Sequence, residues 1–343
     1  PTPAAYLSAS FDNQGVETLA FGGLPAAHDF SEPLSILAHR GKNPILCGAS
    51  HAAESPGVYE DAVRWLKLAF GYFEDFVVPS MEPDGREGYE KCMTFVRPFL
   101  ASVDATTREC LIPAIDGTQS LFVLDGGGTL AQVPGNPPFP QPIPIPRIAV
   151  AGLLNDPAKF KEGMGRYADA IRKLIADARE TFPGKIPPQV QLPPPESETV
   201  AGGTLYYYRV PGGMGRDVFP CALLKGRLLV VSSSATLVEE MAEEREMPSC
   251  PVMELGEAAG ALAMVDATKG WQYLSRLTDA VFPLLSQGRR VDEREKMQMM
   301  MAKMHIDALW KSLGAIRRHV SMTTEDDGEV VRHGWLHVED IGK

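Results

Sequence analysis

Residues 121–130 read LFVLDGGGTL, an apolar run that ends in Asp125 and three glycines. If Asp125 is a catalytic carboxylate, the loop is half of an aspartic peptidase site. If it is where a strand stops, the chain is an α+β protein with no chemistry at that point. A peptidase pair needs two apolar-apolar-Asp-Thr/Ser-Gly loops, because the hydroxyl after each Asp helps to hold two carboxylates close enough to share a proton. Asp125 is followed by Gly126, and the nearest counterpart, Asp266 in MVDATKG, falls where a helix needs its N-cap. The glycines therefore read as a turn after a strand. On this reading Asp125 is partly exposed, and Asp125→Asn leaves stability within about 0.5 kcal/mol, the range of surface positions.

RIAVAGLL (147–154) is a buried-type strand, and Asn155-Asp156-Pro157 supplies an N-cap and a first-turn proline. The helix that follows places Phe160, Met164, Tyr167, Ala168, Ile171, Leu174 and Ile175 on one face. TLYYYRV (204–210) reads as a strand, and VFPCALL and RLLVVSS pair through a hairpin at Lys225-Gly226. Ser232, Ser233 and Ser234 then lead into ATLVEEMAEER, a helix capped by serine. Residues 147–250 thus form a central β-α-β-β-β-α module. Two proline-rich stretches, 133–146 and 182–198, read as extended connectors, because proline lacks the donor and fixes φ.

The flanking segments, 1–132 with its N-terminal extension and 251–343, resemble one another. In the first, PILCGAS is a strand, YEDAVRWLKLAFGYFEDFV and YEKCMTFVRPFLASV are helices, and CLIPAIDGTQSLFVLDG is a hairpin turning at Asp116-Gly117. In the second, GALAMVD is a strand, two helices follow, and AIRRHVSMTTEDDGEVVRHGWLHVED is a hairpin turning at Asp327-Gly328. The fold class expected is α+β, with helices packed on antiparallel sheets and duplicated strand-helix-helix-hairpin units flanking the central module.

This element order, together with the segment LLVVSSSATLVEEM, resembles a group of bacterial envelope proteins that are themselves uncharacterised, from about residue 45 onward. The resemblance implies a duplicated α+β protein, exported or lipid-anchored, and brings no catalytic residues.

With 343 residues, 44% apolar and 22% charged, the chain can bury a substantial core. A formal charge of −11 disfavours a general grip on nucleic acid, which requires Lys and Arg to neutralise phosphates. No apolar run reaches the roughly 18 residues of a membrane span. The start, Pro1-Thr2-Pro3, fits removal of a signal segment and also ordinary removal of Met before proline, and so only tilts the reading toward export. Cys47, Cys92, Cys110, Cys221 and Cys250 are widely spaced, so no zinc or redox motif is written and the thiols read as small buried hydrophobes.

Few residues suggest a site. Ser50-His51 lacks the G-x-S-x-G elbow, and neighbours on a strand point apart. Ser232, Ser233 and Ser234 read as caps, with an anion at the helix start as the functional alternative. His333 and His337 lie four apart on a strand, roughly 13 Å, too far to share a metal. They belong to an aromatic stripe, Val331, His333, Trp335 and His337, set against a core face of Val330, Leu336 and Val338. Met297, Met300, Met301 and Met304 share one side of a helix, where methionine usually fills core space and less often forms a groove. PGGMG (211–215) lacks the Lys-Ser/Thr of a phosphate loop, so no cofactor is expected. The candidate ligand-binding residues are His333, Trp335, His337, Ser232, Ser233, Ser234, Met300 and Met304. The reading favours a non-catalytic, envelope-associated binding or assembly protein, with a peptide, protein or small molecule as partner. The alternative is a hydrolase whose site is assembled from residues distant in sequence.

Overall fold

The computed structural model describes residues 6–11, 15–21, 28–52, 57–115, 117–133, 137–208, 215–246, 259–286, 293–326 and 329–339. Asp116, the Asp327-Gly328 turn, Cys250 and all of PGGMG except Gly215 lie outside these residues.

The protein is α+β. Its strands are β1 (Tyr6–Phe11), β2 (Gly15–Phe21), β3 (Pro44–His51), β4 (Gln119–Leu130), β5 (Ile143–Leu153), β6 (Glu196–Val200), β7 (Gly203–Tyr207), β8 (Cys221–Lys225), β9 (Leu228–Ser232), β10 (Ala261–Asp266), β11 (Ile316–Asp326) and β12 (Glu329–Val338). They form one antiparallel sheet in the order β1-β2-β12-β11-β10-β3-β4-β5-β9-β8-β7-β6. The helices are α1 (Val58–Tyr72), α2 (Pro83–Thr106), α3 (Ile112–Ile115), α4 (Pro157–Thr181), α5 (Ala235–Met241), α6 (Ala267–Ser286) and α7 (Glu293–Leu313).

Two compact units result. The sheet with α5, α6 and α7 comprises residues 1–53, 118–153 and 195–343, and α1 to α4 lie in 54–117 and 154–194. In the sheet unit, the two-residue period of the strands sends Cys47, Ala49, Leu121, Val123, Ala149, Ala151, Val230 and Leu223 to one face. Ile36 and Leu37, with Leu237, Val238 and Met241 of α5, complete the core. In the helical unit, Asp156 caps α4 by accepting from the amides of Ala158 and Lys159 at 3.0 Å each. Gly163 lets α4 approach residue 110, because a Cβ there would stand 2.9 Å from that of Cys110.

Three sequence expectations change. First, β4 runs straight through the three glycines. Asp125 faces Arg147 and Gly128 faces Ile145, so one extra residue makes a β-bulge within the strand rather than a turn after it. A Cβ on Gly128 would lie 2.7 Å from the carbonyl oxygen of Ile145, which is why this position takes glycine.

Second, the segment expected to form the first arm of a hairpin before Asp116-Gly117 is helical. Residues 107–115 continue the helical path of α2, with Cys110 and Ala114 buried and the Ala114 carbonyl accepting from the Asn155 amide at 2.8 Å. A short apolar run such as CLIPAI suits helix or strand, and packing against α4 decides for helix. The element order β3-α1-α2 and β10-α6-α7 is followed in each case by two paired strands, but the first pair is β4–β5.

Third, the central segment holds an additional strand, β6, cut from the end of the second proline-rich stretch, while β5 begins inside the first. Pro144 and Pro146 are tolerated because β5 pairs only with β4 there; its pairing with β9 starts at Ala149.

Candidate functional site

Asp125 is fully buried, and so is its cross-strand neighbour Arg147, 4% exposed. Asp125 Oδ1 accepts from Arg147 Nη2 at 2.6 Å, from Arg147 Nε at 2.9 Å and from the Gly127 amide at 2.6 Å. The other end of the guanidinium, Nη1, reaches Glu240 of α5 at 3.3 Å and Asp217 at 3.8 Å. Asp217 Oδ2 in turn accepts from the Thr129 amide at 3.0 Å. One arginine therefore ties the bulge, the segment before β8 and α5 together. The expectation of a partly exposed Asp125 is overturned: the bulge turns its carboxylate into the core, and the guanidinium makes that burial tolerable. A carboxylate bonded this way is not half of a proton-sharing pair. Asp266 is the expected cap, accepting from the Lys269 amide at 3.0 Å.

The serines are spent on structure. Ser234 Oγ accepts from the Leu237 amide at 3.2 Å and so caps α5. Ser232 Oγ donates to the Ile148 carbonyl at 2.8 Å, and Ser233 Oγ accepts from the Ile148 amide at 3.0 Å. The Asp217 carboxylate stands 3.5 Å from Ser234 Oγ, where an anion would be repelled. Ser50 and His51 point to opposite faces of β3. Ser50 Oγ lies 3.0 Å from Ser120 Oγ, whereas His51 is buried with Asp29 3.8 Å away. No nucleophile–base contact forms at this pair.

The face of β12 is the reverse of the one expected. Val331, His333 and Trp335 lie opposite Thr324, Met322 and Val320, all three of which are buried. Trp335 packs on the core, and His333 Nε2 lies 3.3 Å from Thr324 Oγ1. Val338 is exposed instead. His337 stacks on Trp335 with ring centroids 5.3 Å apart. Alternation alone gives two faces and does not say which is inside; the neighbouring β11 residues decide it.

On the sheet's other face, an open groove of about 340 Å³ crosses β10, β3 and β4. Small residues such as Gly48, Ser50, Ser120, Ala263 and Ser321 line it, with Phe122 and Val150 at one side, and no titratable group is among them.

The methionines do not fill core space. Met297, Met300, Met301 and Met304 are all exposed on α7, which attaches to α6 through stacking of Trp310 on Trp271 and the Lys303–Asp279 ion pair at 2.8 Å.

The apolar exposure of α1 was not singled out by sequence reasoning. Trp65 (64% exposed), Leu66 (69%), Tyr72 (58%) and Phe76 (69%) stand on α1 and its continuation to residue 77. The signal was present as an amphipathic pattern, which normally means a face packed on the core. Here polar clamps hold the helix at both ends. Tyr59 donates to Asp104 at 2.8 Å and Arg108 pairs with Glu60 at 2.6 Å near its start; Glu74 accepts from Arg97 and Tyr89 near its end. The Tyr59 hydrogen bond, helped by Arg108, holds the Asp104 carboxyl below the usual range, and the Arg97 and Tyr89 hydrogen bonds do the same for Glu74. These clamps fix α1 while leaving its aromatic stripe in solvent.

Cys47, Cys92, Cys110 and Cys221 are free thiols, and burial pushes Cys47 up to about 11 and Cys221 to about 12. Among the described residues no group of three or more His, Cys, Asp or Glu side chains could hold a metal, and no helix is long and apolar enough to cross a membrane. No family model matches the chain, nor does any curated protein or solved structure.

Proposed function

We propose that this chain is a non-catalytic binding or assembly protein, associated with the cell envelope, that engages macromolecular partners through exposed apolar helix surface. The observation that carries this reading is the stripe on α1. Contiguous exposed aromatic and aliphatic side chains are costly in water, and such patches mark contact surfaces. Burying one large apolar side chain contributes about 1.5–3 kcal/mol, and Trp and Tyr are the residue types that anchor interfaces. The methionines of α7 offer a second, more adaptable surface. The serine, histidine and aspartate candidates lend no support to the hydrolase alternative, since each is engaged structurally or turned away from its neighbour. The envelope location rests on the resemblance of element order and is tested by cell fractionation.

A photo-crosslinking amino acid at position 65, 76 or 300 in the full chain, expressed in cells, should yield covalent protein adducts. The same probe at Arg172, on an exposed polar face of α4, should not. Absence of adducts at all three apolar positions, or equal labelling at 172, would refute the reading.

A further inference from the structure

We propose that the α1 stripe is an isologous contact with a second copy of this chain, in which two α1 helices pack antiparallel across a two-fold axis. The inference rests on α1 being a binding surface and names its occupant.

The argument starts from position. Trp65, Ala69, Tyr72 and Phe76 follow one another at four- and three-residue steps, so they form one line along the helix. The rings of Tyr72 and Phe76 already stack, 6.0 Å between centroids. Laid antiparallel on its own copy, this line is self-complementary. Trp65 meets the other copy's Phe76, and small Ala69 meets its Tyr72, so a large side chain faces a gap at the centre. Isologous contacts require this kind of self-matching surface.

The charges fit the same register. Arg64 immediately precedes Trp65, and Asp75 immediately precedes Phe76, so both lie on the same flank of the line. In an antiparallel two-fold pair, equal flanks face each other, which sets Arg64 of each copy beside Asp75 of the other. Asp75 is exposed, and among the described residues Arg64 pairs with the exposed Asp61 at 3.2 Å, a contact that solvent screens. A parallel two-fold pair would bring unequal flanks together, so Arg64 and Asp75 of the two copies would lie on opposite sides of the contact and would not meet.

A lipid surface suits this helix less well. Its charged residues are Glu60, Asp61, Arg64, Lys67, Glu74 and Asp75, an acidic balance, whereas helices that lie on anionic bilayers carry a basic face. An interface built on one helix pair is small, so association in the micromolar range is expected.

Sedimentation velocity of the purified full chain, at concentrations spanning that range, provides the test. Wild type should dimerise, and Phe76→Asp should raise the dimer dissociation constant at least about tenfold, the size of an anchor loss. The decisive step uses exposed positions that do not threaten folding. Arg64→Asp alone and Asp75→Arg alone should each be weakened, since each brings like charges together twice. Their equimolar mixture should recover a heterodimer, because both cross-pairs are then opposite in sign. A chain that stays monomeric at every concentration overturns the proposal. So does a dimer indifferent to Phe76→Asp, a mixture that does not recover, or a monomer that floats with phosphatidylglycerol vesicles through Trp65. If the chain is monomeric but position 65 still crosslinks to other proteins in cells, self-association fails while the binding reading stands.

Discussion

Arg147 and Trp65 are both on the wrong side of the surface by ordinary rules of polarity. The guanidinium lies in the core of the sheet unit, held by Asp125 with Glu240 and Asp217 behind it, and the indole stands in water on a helix clamped by polar groups at its ends. The difference lies in what each arrangement can do without. A buried charge is tolerable only while its partners remain, so the Arg147 cluster binds three segments into one arrangement that cannot loosen piecemeal. An exposed apolar stripe buries little within this fold and is free to contribute to a complex. One buried polar cluster thus ties segments together beside the apolar core of the sheet unit, and the outside of the helical unit is apolar where contact is expected.

The contrast breaks if the Asp125–Arg147 pair proves dispensable. Arg147→Met leaves Asp125 buried without its countercharge and should cost about 3–5 kcal/mol, and Asp125→Asn a similar amount, by urea denaturation. The double variant Asp125→Leu/Arg147→Met removes both charges and should cost clearly less than the two single losses together. Additive losses, or a cost near zero for either single variant, would show that the cluster is not the constraint described.

A smaller effect should come from the bulge that turns Asp125 inward. Gly128→Ala places a Cβ 2.7 Å from both the Ile145 carbonyl oxygen and Arg147 Cγ, so the strand must shift. A loss of about 1–3 kcal/mol is expected, as for overpacked sites. An unchanged urea midpoint would mean that the bulge relaxes freely.

How far the sequence announced these features depends on the kind of signal. Asp156 before Pro157, Ser234 before ATLVEEM and the Lys225-Gly226 hairpin were legible, because capping and turn chemistry is local. The LFVLDGGGTL strand was legible up to Asp125 and misread after it. Three glycines serve equally as a turn or as a bulge against a close neighbour, and the neighbour, Arg147, is 22 residues away in sequence. The same limit hid the orientation of β12, which depends on β11. It hid the exposure of α1 too: an amphipathic pattern states that a face wants covering and not whether this chain supplies the cover.

Acid should separate the two regions further. The depressed carboxyls of Asp104 and Glu74 hold the α1 clamps, so that stabilisation is complete above the ordinary carboxylate value near pH 4 and is lost as pH falls through the lower native values. Amide exchange in α1, corrected for its intrinsic pH dependence, should therefore accelerate below about pH 4 before exchange in β4 and β5 does. Simultaneous loss of protection in both would place the clamps and the sheet in one cooperative unit.

The smallest expected effect bears most directly on function. Trp65→Gln and Phe76→Gln replace side chains that touch mostly water, and glutamine keeps helix propensity, so each should leave the urea midpoint within about 0.5 kcal/mol of wild type at a concentration where the chain is monomeric. That near-zero value is informative because of the residues involved. Truncating a buried tryptophan or phenylalanine costs about 3–5 kcal/mol. A large loss at either position would mean that the stripe already packs within the chain, and it would remove the reason to read α1 as a surface awaiting a partner. A neutral result, set beside a loss of several kcal/mol at Arg147, would show that the fold depends on the buried guanidinium and not on Trp65 or Phe76, as a surface open to a partner requires.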